Sequence, residues 1–381
     1  MASPRRAARR AAGRPSLRSN RRLMVSALAW MGLSLLLFTA TAQAQGTGYL
    51  VPAPGPKDLQ KTSRYDCETP DTPLISLDAK SKYRQDDASR ATIDEEAEEA
   101  YSEAVEPLRN YVKALVKISN AYVRSQPRNT AAAACALAWL DAWARAHALT
   151  DMQTRQASHN QGQAVGGIAL AYLQVRNAPG LPDDQRKRVE TWLDTLGHQV
   201  MDAMNGNDGV SSRNNHRYWN GLSAIASGIA VGDATLIRWG ADSARIGIGQ
   251  ITRDGTLPLE LRRAKRARDY HLFAAEPLIA TAELARSQGI DLYAENDNAL
   301  SRLVNRILGS ISDPSFFETT TGSRQEPYPG DGTVPGSRIA WLEIYQSRYP
   351  SPQAEALLQS KRPVASSGIG GNTTLLFKGK D

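Results

Sequence analysis

The chain has 381 residues, a formal net charge of +7, two cysteines and five histidines. Eight of its 46 basic residues are arginines before position 45, in a stretch without acids, so setting them aside leaves 38 basic against 39 acidic residues. A near-neutral body of roughly 335 residues removes the electrostatic case for nucleic-acid binding and is long enough for one large core or two ordinary domains.

In chain order, the first element reads as an export signal. Arg5 to Arg22 form a basic n-region, Val25 to Ala42 an apolar run, and Ala42-Gln43-Ala44 a small-x-small cleavage site before Gln45. The run ends at that site and no basic cluster follows, so it is read as cleaved after Ala44 rather than as an anchor. The mature protein is expected in the periplasm, without stable membrane association. Arg21-Arg22 leaves twin-arginine export open beside the ordinary secretory route.

Residues 45–94 lack helical rhythm: Pro52, Pro54 and Pro56 lead to a polar stretch, Ser81 to Arg90, that mixes cations with an aromatic. Such a segment is either surface linker or a loop over a binding site. Cys67 and Cys135 would meet an oxidising compartment and can form one disulfide. The reading preferred here is two separate thiols, with Cys135 buried in the apolar stretch Ala131 to Leu140. Spacing for a zinc site is absent, and neither metal nor cofactor is expected.

Helix-period segments then recur at 95–124, 129–148, 157–176, 183–204, 215–231, 234–250, 258–287, 292–310 and 337–347, separated mostly by short Pro, Gly or Asn/Asp turns. They predict an all-α domain over 95–361, followed by a tail at 362–381. Short connections pair helices as antiparallel hairpins, and a closed or nearly closed ring of hairpins is the natural single-domain solution. Residues 311–336, rich in Gly and Pro, interrupt the pattern as a second long loop.

Trp139, Trp143 and His147 fall at i, i+4 and i+8. That stripe is either core or, with Trp139 facing a cleft, a stacking platform for a sugar. His159-Asn160-Gln161 opens the next helix and offers polar groups near the same rim, either as its cap or as substrate contacts, Gln161 among them.

The chemistry concentrates in Asn214-Asn215-His216-Arg217-Tyr218-Trp219 and in the stretch Glu260 to His271. If 258–287 is one helix, Arg263, Arg266 and Tyr270 stand at i, i+3 and i+7 on one face. An amide, an imidazole, guanidinium groups and a phenol are the set needed to take a carbon-bound proton from beside a carboxylate. Asn215 and Arg263 would neutralise that carboxylate, because charge-assisted donors strengthen as negative charge builds there. His216, if neutral, would donate to it or act as base. Tyr270, its pKa lowered by Arg263 and Arg266, would take the proton and return one to the leaving oxygen. Glu260 and Asp269 sit beside cations expected to keep them ionised, which counts against a glycoside hydrolase and its protonated acid. A non-catalytic polyuronate-binding protein would use the same Arg and Trp residues without needing Tyr270.

Asn214-Asn215-His216-x-Tyr218-Trp219, with Leu257-Pro258-Leu259-Glu260-Leu261-x-Arg263 and Tyr270-His271, closely resembles the periplasmic alginate lyases that prefer mannuronate-rich chains. The likeness extends to Ser81-Lys82-Tyr83, Ser89-Arg90 and Trp341-Leu342-Glu343. It implies an incomplete (α/α) toroid with a deep cleft for an anionic polysaccharide and an N-terminal lid loop. It also implies a catalytic group of Asn215, His216, Arg263 and Tyr270, with Lys82 and Tyr83 holding the chain. Arg90, Trp139, Gln161, Arg217, Trp219 and Arg266 are the further expected substrate contacts. Arg217 stands where a small Ser is expected in relatives, so it either turns outward along its helix or adds a cation to the cleft.

Overall fold

Five of the long helices each start on a side chain suited to it. Asp94, Asn129, Thr154, Asn214 and Asp233 accept hydrogen bonds from the first free backbone N–H groups of α1 (Glu95–Arg124), α2 (Thr130–Arg145), α3 (Arg155–Val175), α5 (Asn215–Val231) and α6 (Ala234–Gln250). Between α3 and α5 runs α4 (Asp183–Asn205), and Gly232, at φ 81°, ends α5 in the left-handed region that glycine favours. The computed structural model describes residues 46–379; the predicted signal and its cleavage point lie outside them.

Six further helices follow: α7 (Pro258–Leu261), α8 (Ala267–Ser287), α9 (Glu295–Ser310, with residues 296–298 left-handed before its regular turns), α10 (Ser315–Thr321), α11 (Ala340–Gln346) and α12 (Pro352–Gln359). Packing sorts the long ones into two rows. Helices α1, α3, α5, α8 and α11 touch in succession, and α2, α4, α6 and α9 touch in succession behind them. This is the inner and outer layering of an incomplete (α/α) toroid. Burial follows it: α3, α5 and α8 are buried on almost every side, whereas α1 and α4 bury one stripe. The crossing of α5 and α6 needs glycine, since a Cβ at Gly240 would lie 2.6 Å from the Gly221 carbonyl oxygen.

The largest departure from the predicted helices is at 258–287, which is not one helix. After α7 the chain turns through Arg262 and Arg263, makes one 3-10 turn over Ala264–Arg266 and restarts as α8, with Ala264 at φ 47°. Two side chains hold this break. His271 accepts from the Leu257 N–H at Nε2 (2.9 Å) and bonds the Ala267 carbonyl through Nδ1 (2.7 Å), while Gln325 accepts from Arg268 N–H and donates to Ala264 O.

The two cysteines are joined, not separate thiols: Cys67 and Cys135 form a disulfide. It pins the N-terminal segment to α2, where Trp139 and Trp143 also donate from their indole nitrogens to the Glu68 and Asp71 carbonyls. Strand β1 (Ser76–Leu77) of that segment pairs in parallel with β2 (Asp151–Met152). At the other end, β3 (Ala365–Ser366) and β4 (Gly371–Asn372) form a small antiparallel ladder against α1 and α11, the two ends of the inner row. Asn120 on α1 and Gln174 on α3 both donate to Gly370 O, and Asn120 accepts from Asn372 N–H. Among the described residues no helix is long and apolar enough to cross a membrane.

Candidate active site

A cleft of about 1130 Å³ opens between the N-terminal segment and the inner helices. That exceeds the ~300–1,000 Å³ usual for small-ligand pockets, so it has room for several linked sugars. Nine cations line it (Lys80, Lys82, Arg90, Arg109, Arg155, Arg262, Arg263, Arg266, Arg338) against one carboxylate, Asp269. On a body that is near neutral, this concentration marks the cleft for a polyanion. Asp269 is itself held by Arg266 and Arg338.

The floor of the cleft is the start of α5 and the break before α8. Asn214 caps α5 by accepting from the His216 N–H at 3.1 Å, which fixes Asn215 and His216 in the first turn. Across from them, Arg263 donates from Nη2 to the Tyr270 hydroxyl at 2.7 Å, with its guanidinium carbon 3.7 Å from the centre of the Tyr270 ring. Arg263, Arg266 and Tyr270 therefore converge, although through the broken backbone and not along one helical face.

The lid segment reaches the same point. Tyr83 OH lies 2.9 Å from Tyr270 OH and accepts from Arg266 Nη1 at 2.5 Å, while Arg263 also donates to the Arg90 carbonyl. Lys82 lines the cleft and pairs with Glu98 at the start of α1. The Arg90 side chain lines it too, bonded to Gln85.

Electrostatics sharpen the roles open to these groups. Burial holds the His216 imidazole well below its usual pKa, with His159 and Arg263 adding to the effect, so the ring is neutral. His159, from α3, stacks on it at 3.7 Å and 15°, and burial pushes His159 down to about 4. The expectation that Tyr270 is lowered does not hold in the free protein. Burial raises it, and Arg263 and Arg266 oppose that rise without cancelling it. Glu260 also departs from expectation: it is fully buried, its carboxyl pushed by desolvation up to about 7 despite Arg263. It accepts from Asn215 N–H (2.9 Å) and from Asn215 Nδ2 (3.1 and 2.9 Å).

Four expected substrate contacts lie elsewhere. Trp139 packs on Tyr111 beneath the N-terminal segment. Gln161 is buried, donating to Leu149 O and Gln199 on α4. Trp219 is buried against Phe273 and Gly368. Arg217 donates to Ser243 of α6 and lies 4.1 Å over the Trp239 ring. The geometry of α5 explains Arg217: neighbours on a helix point about 100° apart, so with His216 facing the cleft, Arg217 is carried to α6. In exchange the cleft gains residues with no local motif to mark them, among them Arg155, Arg109 on α1 and Arg338, and it is lined by His159 from the His159-Asn160-Gln161 group.

A family model described as alginate lyase matches residues 78–317. A protein of Stenotrophomonas maltophilia (strain K279a) named polysaccharide lyase is 33% identical over 294 residues, 76% of this chain and 85% of that one. An alginate lyase of Pseudomonas syringae pv. syringae is 31% identical over 359 residues, covering 91% and 93%. Among solved structures, alginate lyase A1-III of Sphingomonas species A1 superposes with a TM-score of 0.71 at 24% identity, over 88% of this chain and 97% of that one, a likeness of fold. A tyrosine-to-phenylalanine variant of alginate lyase A1-III, complexed with tetrasaccharide, gives 0.70 at 27% identity, over 83% and 87%.

Proposed function

We infer the reaction from one premise, that the chain belongs to the alginate lyase family. It is a polysaccharide lyase that acts on alginate. The observation that carries the chemistry is Tyr270, hydrogen-bonded to Arg263, in a cleft lined by nine cations. A uronate C5 proton is poorly acidic, so its removal needs the adjacent carboxylate neutralised; Arg263 and neutral His216 are the donors placed for that. We propose mannuronate-rich chains as the preferred substrate. In mannuronate the C5 proton and the C4 oxygen lie on one side of the ring, and a single group can serve both. Tyr270 takes the C5 proton, the C4–O bond breaks as the C4=C5 double bond forms, and the same hydroxyl protonates the departing oxygen. In guluronate the two lie on opposite sides, and His216 would take the proton.

A glycoside hydrolase would need two carboxylates flanking the bond. Among the described residues the lining supplies only Asp269, in ion pairs, and Glu260 is buried behind Asn215. We further propose that the mature chain works in the periplasm. The signal-like residues 1–44 support that reading, and so does a disulfide, which persists in an oxidising compartment. Purified mature protein given polymannuronate, polyguluronate, polyglucuronate and hyaluronan separately tests the reading, with new ultraviolet absorbance from the double bond as readout. Fastest formation on polymannuronate is expected. Absence of the double bond from all four refutes the lyase, and a faster rate on another polymer refutes the preference.

A further inference from the structure

His216 is the member of the expected catalytic group whose side chain no hydrogen bond holds. Asn215 is tied to Glu260 and Arg263 to Tyr270, whereas the His216 ring has no polar partner among the described residues. Its backbone is fixed on both sides, the N–H donating to the Asn214 cap and the carbonyl accepting from Asn220 Nδ2 at 2.8 Å. The ring itself keeps one soft torsion, about Cβ–Cγ, whose preference is broad in histidine. Nδ1 is buried without a partner, so Nε2 is the nitrogen with which the ring, lining the cleft, can donate to a carboxylate. Such a donor is useful only if its direction is fixed, to within about 10–20°.

A ring on another helix fixes it. Turning about Cβ–Cγ swings an imidazole out of its own plane, and the His159 ring lies across that path, 3.7 Å from the His216 ring and 15° from parallel. His159 is itself well seated: it is buried in the first turns of α3, and behind the pair α3 is tied to α5, where Ser223 Oγ donates to Gly162 O. Its own Nε2 is buried without a partner too, so hydrogen bonding at that nitrogen does not account for an imidazole at this place, whereas the face contact does. Burial keeps both rings neutral, so no repulsion between charges opposes the stack.

We propose that His159 is a positioning residue, the flat surface that holds His216 with Nε2 toward the uronate carboxylate. The proposal rests on the lyase reading of the cleft, and it gives His159 no contact with the reacting atoms. Its effect therefore runs through His216. That donor strengthens as negative charge moves onto the carboxylate in the transition state, so a loss of aim falls on kcat, while the cations of the cleft go on holding the chain and keep KM.

The test is a double-mutant cycle on polymannuronate: wild type, His159→Ala, His216→Ala and the double variant, with His159→Phe beside them and each fold checked by circular dichroism and Tm. His159→Ala should lower kcat at least about tenfold with KM within about threefold, since a misplaced group loses rate rather than binding. Phenylalanine offers a flat ring without nitrogens, so His159→Phe should restore kcat to within about threefold of wild type. Once His216 is gone there is nothing to aim, and His159→Ala should change the kcat of the His216→Ala chain by less than about twofold. Should His159→Ala not fold, His159→Asn leaves the same face bare and takes its place. An unchanged kcat in His159→Ala overturns the proposal. So does a well-folded His159→Phe as slow as His159→Ala, which assigns the ring nitrogens a contact with substrate, and so do losses that multiply in the double variant. A wild-type chain that forms no double bond removes the lyase reading together with this proposal. A wild-type lyase whose rate ignores His159 removes the proposal alone.

Discussion

Opposed influences meet on the Tyr270 hydroxyl: burial and the neighbouring Tyr83 raise its pKa, and Arg263 and Arg266 oppose that rise. A base must be deprotonated to act, and a raised pKa leaves a small phenolate fraction that grows tenfold with each pH unit. The kcat/KM on polymannuronate should therefore rise about tenfold per unit from pH 5.5 to 7. His216 and His159 add no limb in that window, because burial keeps both neutral there. A profile flat across the window would remove Tyr270 as the base. At this scale the sequence was legible in placement, since the motifs bring Asn215, His216, Arg263 and Tyr270 to one cleft. It was misleading where periodicity alone suggested a role. Trp139 and Trp143 share a helical face because both cover Tyr111, and Arg217 departs from the family pattern at a position turned to α6. Glu260 was misread because its neighbours in sequence are cations, whereas burial in the fold sets its charge.

The site is assembled from two interrupted elements rather than from whole helices. Periodicity read 258–287 as continuous, since its apolar positions keep step across the break. Two side chains hold the break, His271 against the Leu257 N–H and Gln325 from the loop at 311–336, and periodicity registers neither contact. The break lets Arg263 reach both Tyr270 and the Arg90 carbonyl. The lid was legible as a polar, aromatic-bearing segment, but its register over Tyr270 depends on the parallel β1–β2 pairing and on Lys82 with Glu98. Lys82→Ala combined with Tyr83→Ala should lower kcat/KM at least about tenfold. The Tm should move little, because the Lys82 pair is partly exposed and such pairs contribute under about 1 kcal/mol. A lowered Tm with unchanged kinetics would make the segment a structural strap.

Across the whole molecule, nearly all of the predicted helices are present, most with ends within two or three residues of those expected. The (α/α) ring follows from their amphipathic faces and short connections. Less legible were the ties at the two ends of the chain. The residues predicted as a tail carry Gly370 between Asn120 and Gln174, contacts more than a hundred residues apart in sequence. The disulfide joins residues 68 apart, and spacing alone could not pair them. Closing a loop of that length is worth about 4 kcal/mol in the chain-entropy account. Cys67→Ser with Cys135→Ser should lower the Tm by several degrees. It should leave turnover at lower temperature largely intact, since the bridge lies under the N-terminal segment and not in the cleft. An unchanged Tm would show that the bridge adds nothing to the folded state.

The claim on which the rest depends is that Tyr270 moves the proton. Turnover of polymannuronate by Tyr270→Phe, with folding checked by circular dichroism and Tm, measures it directly. Loss of one hydroxyl from a well-folded chain should cut kcat by at least about a hundredfold, the usual worth of a positioned acid–base group. Turnover within a few-fold of wild type would contradict the account.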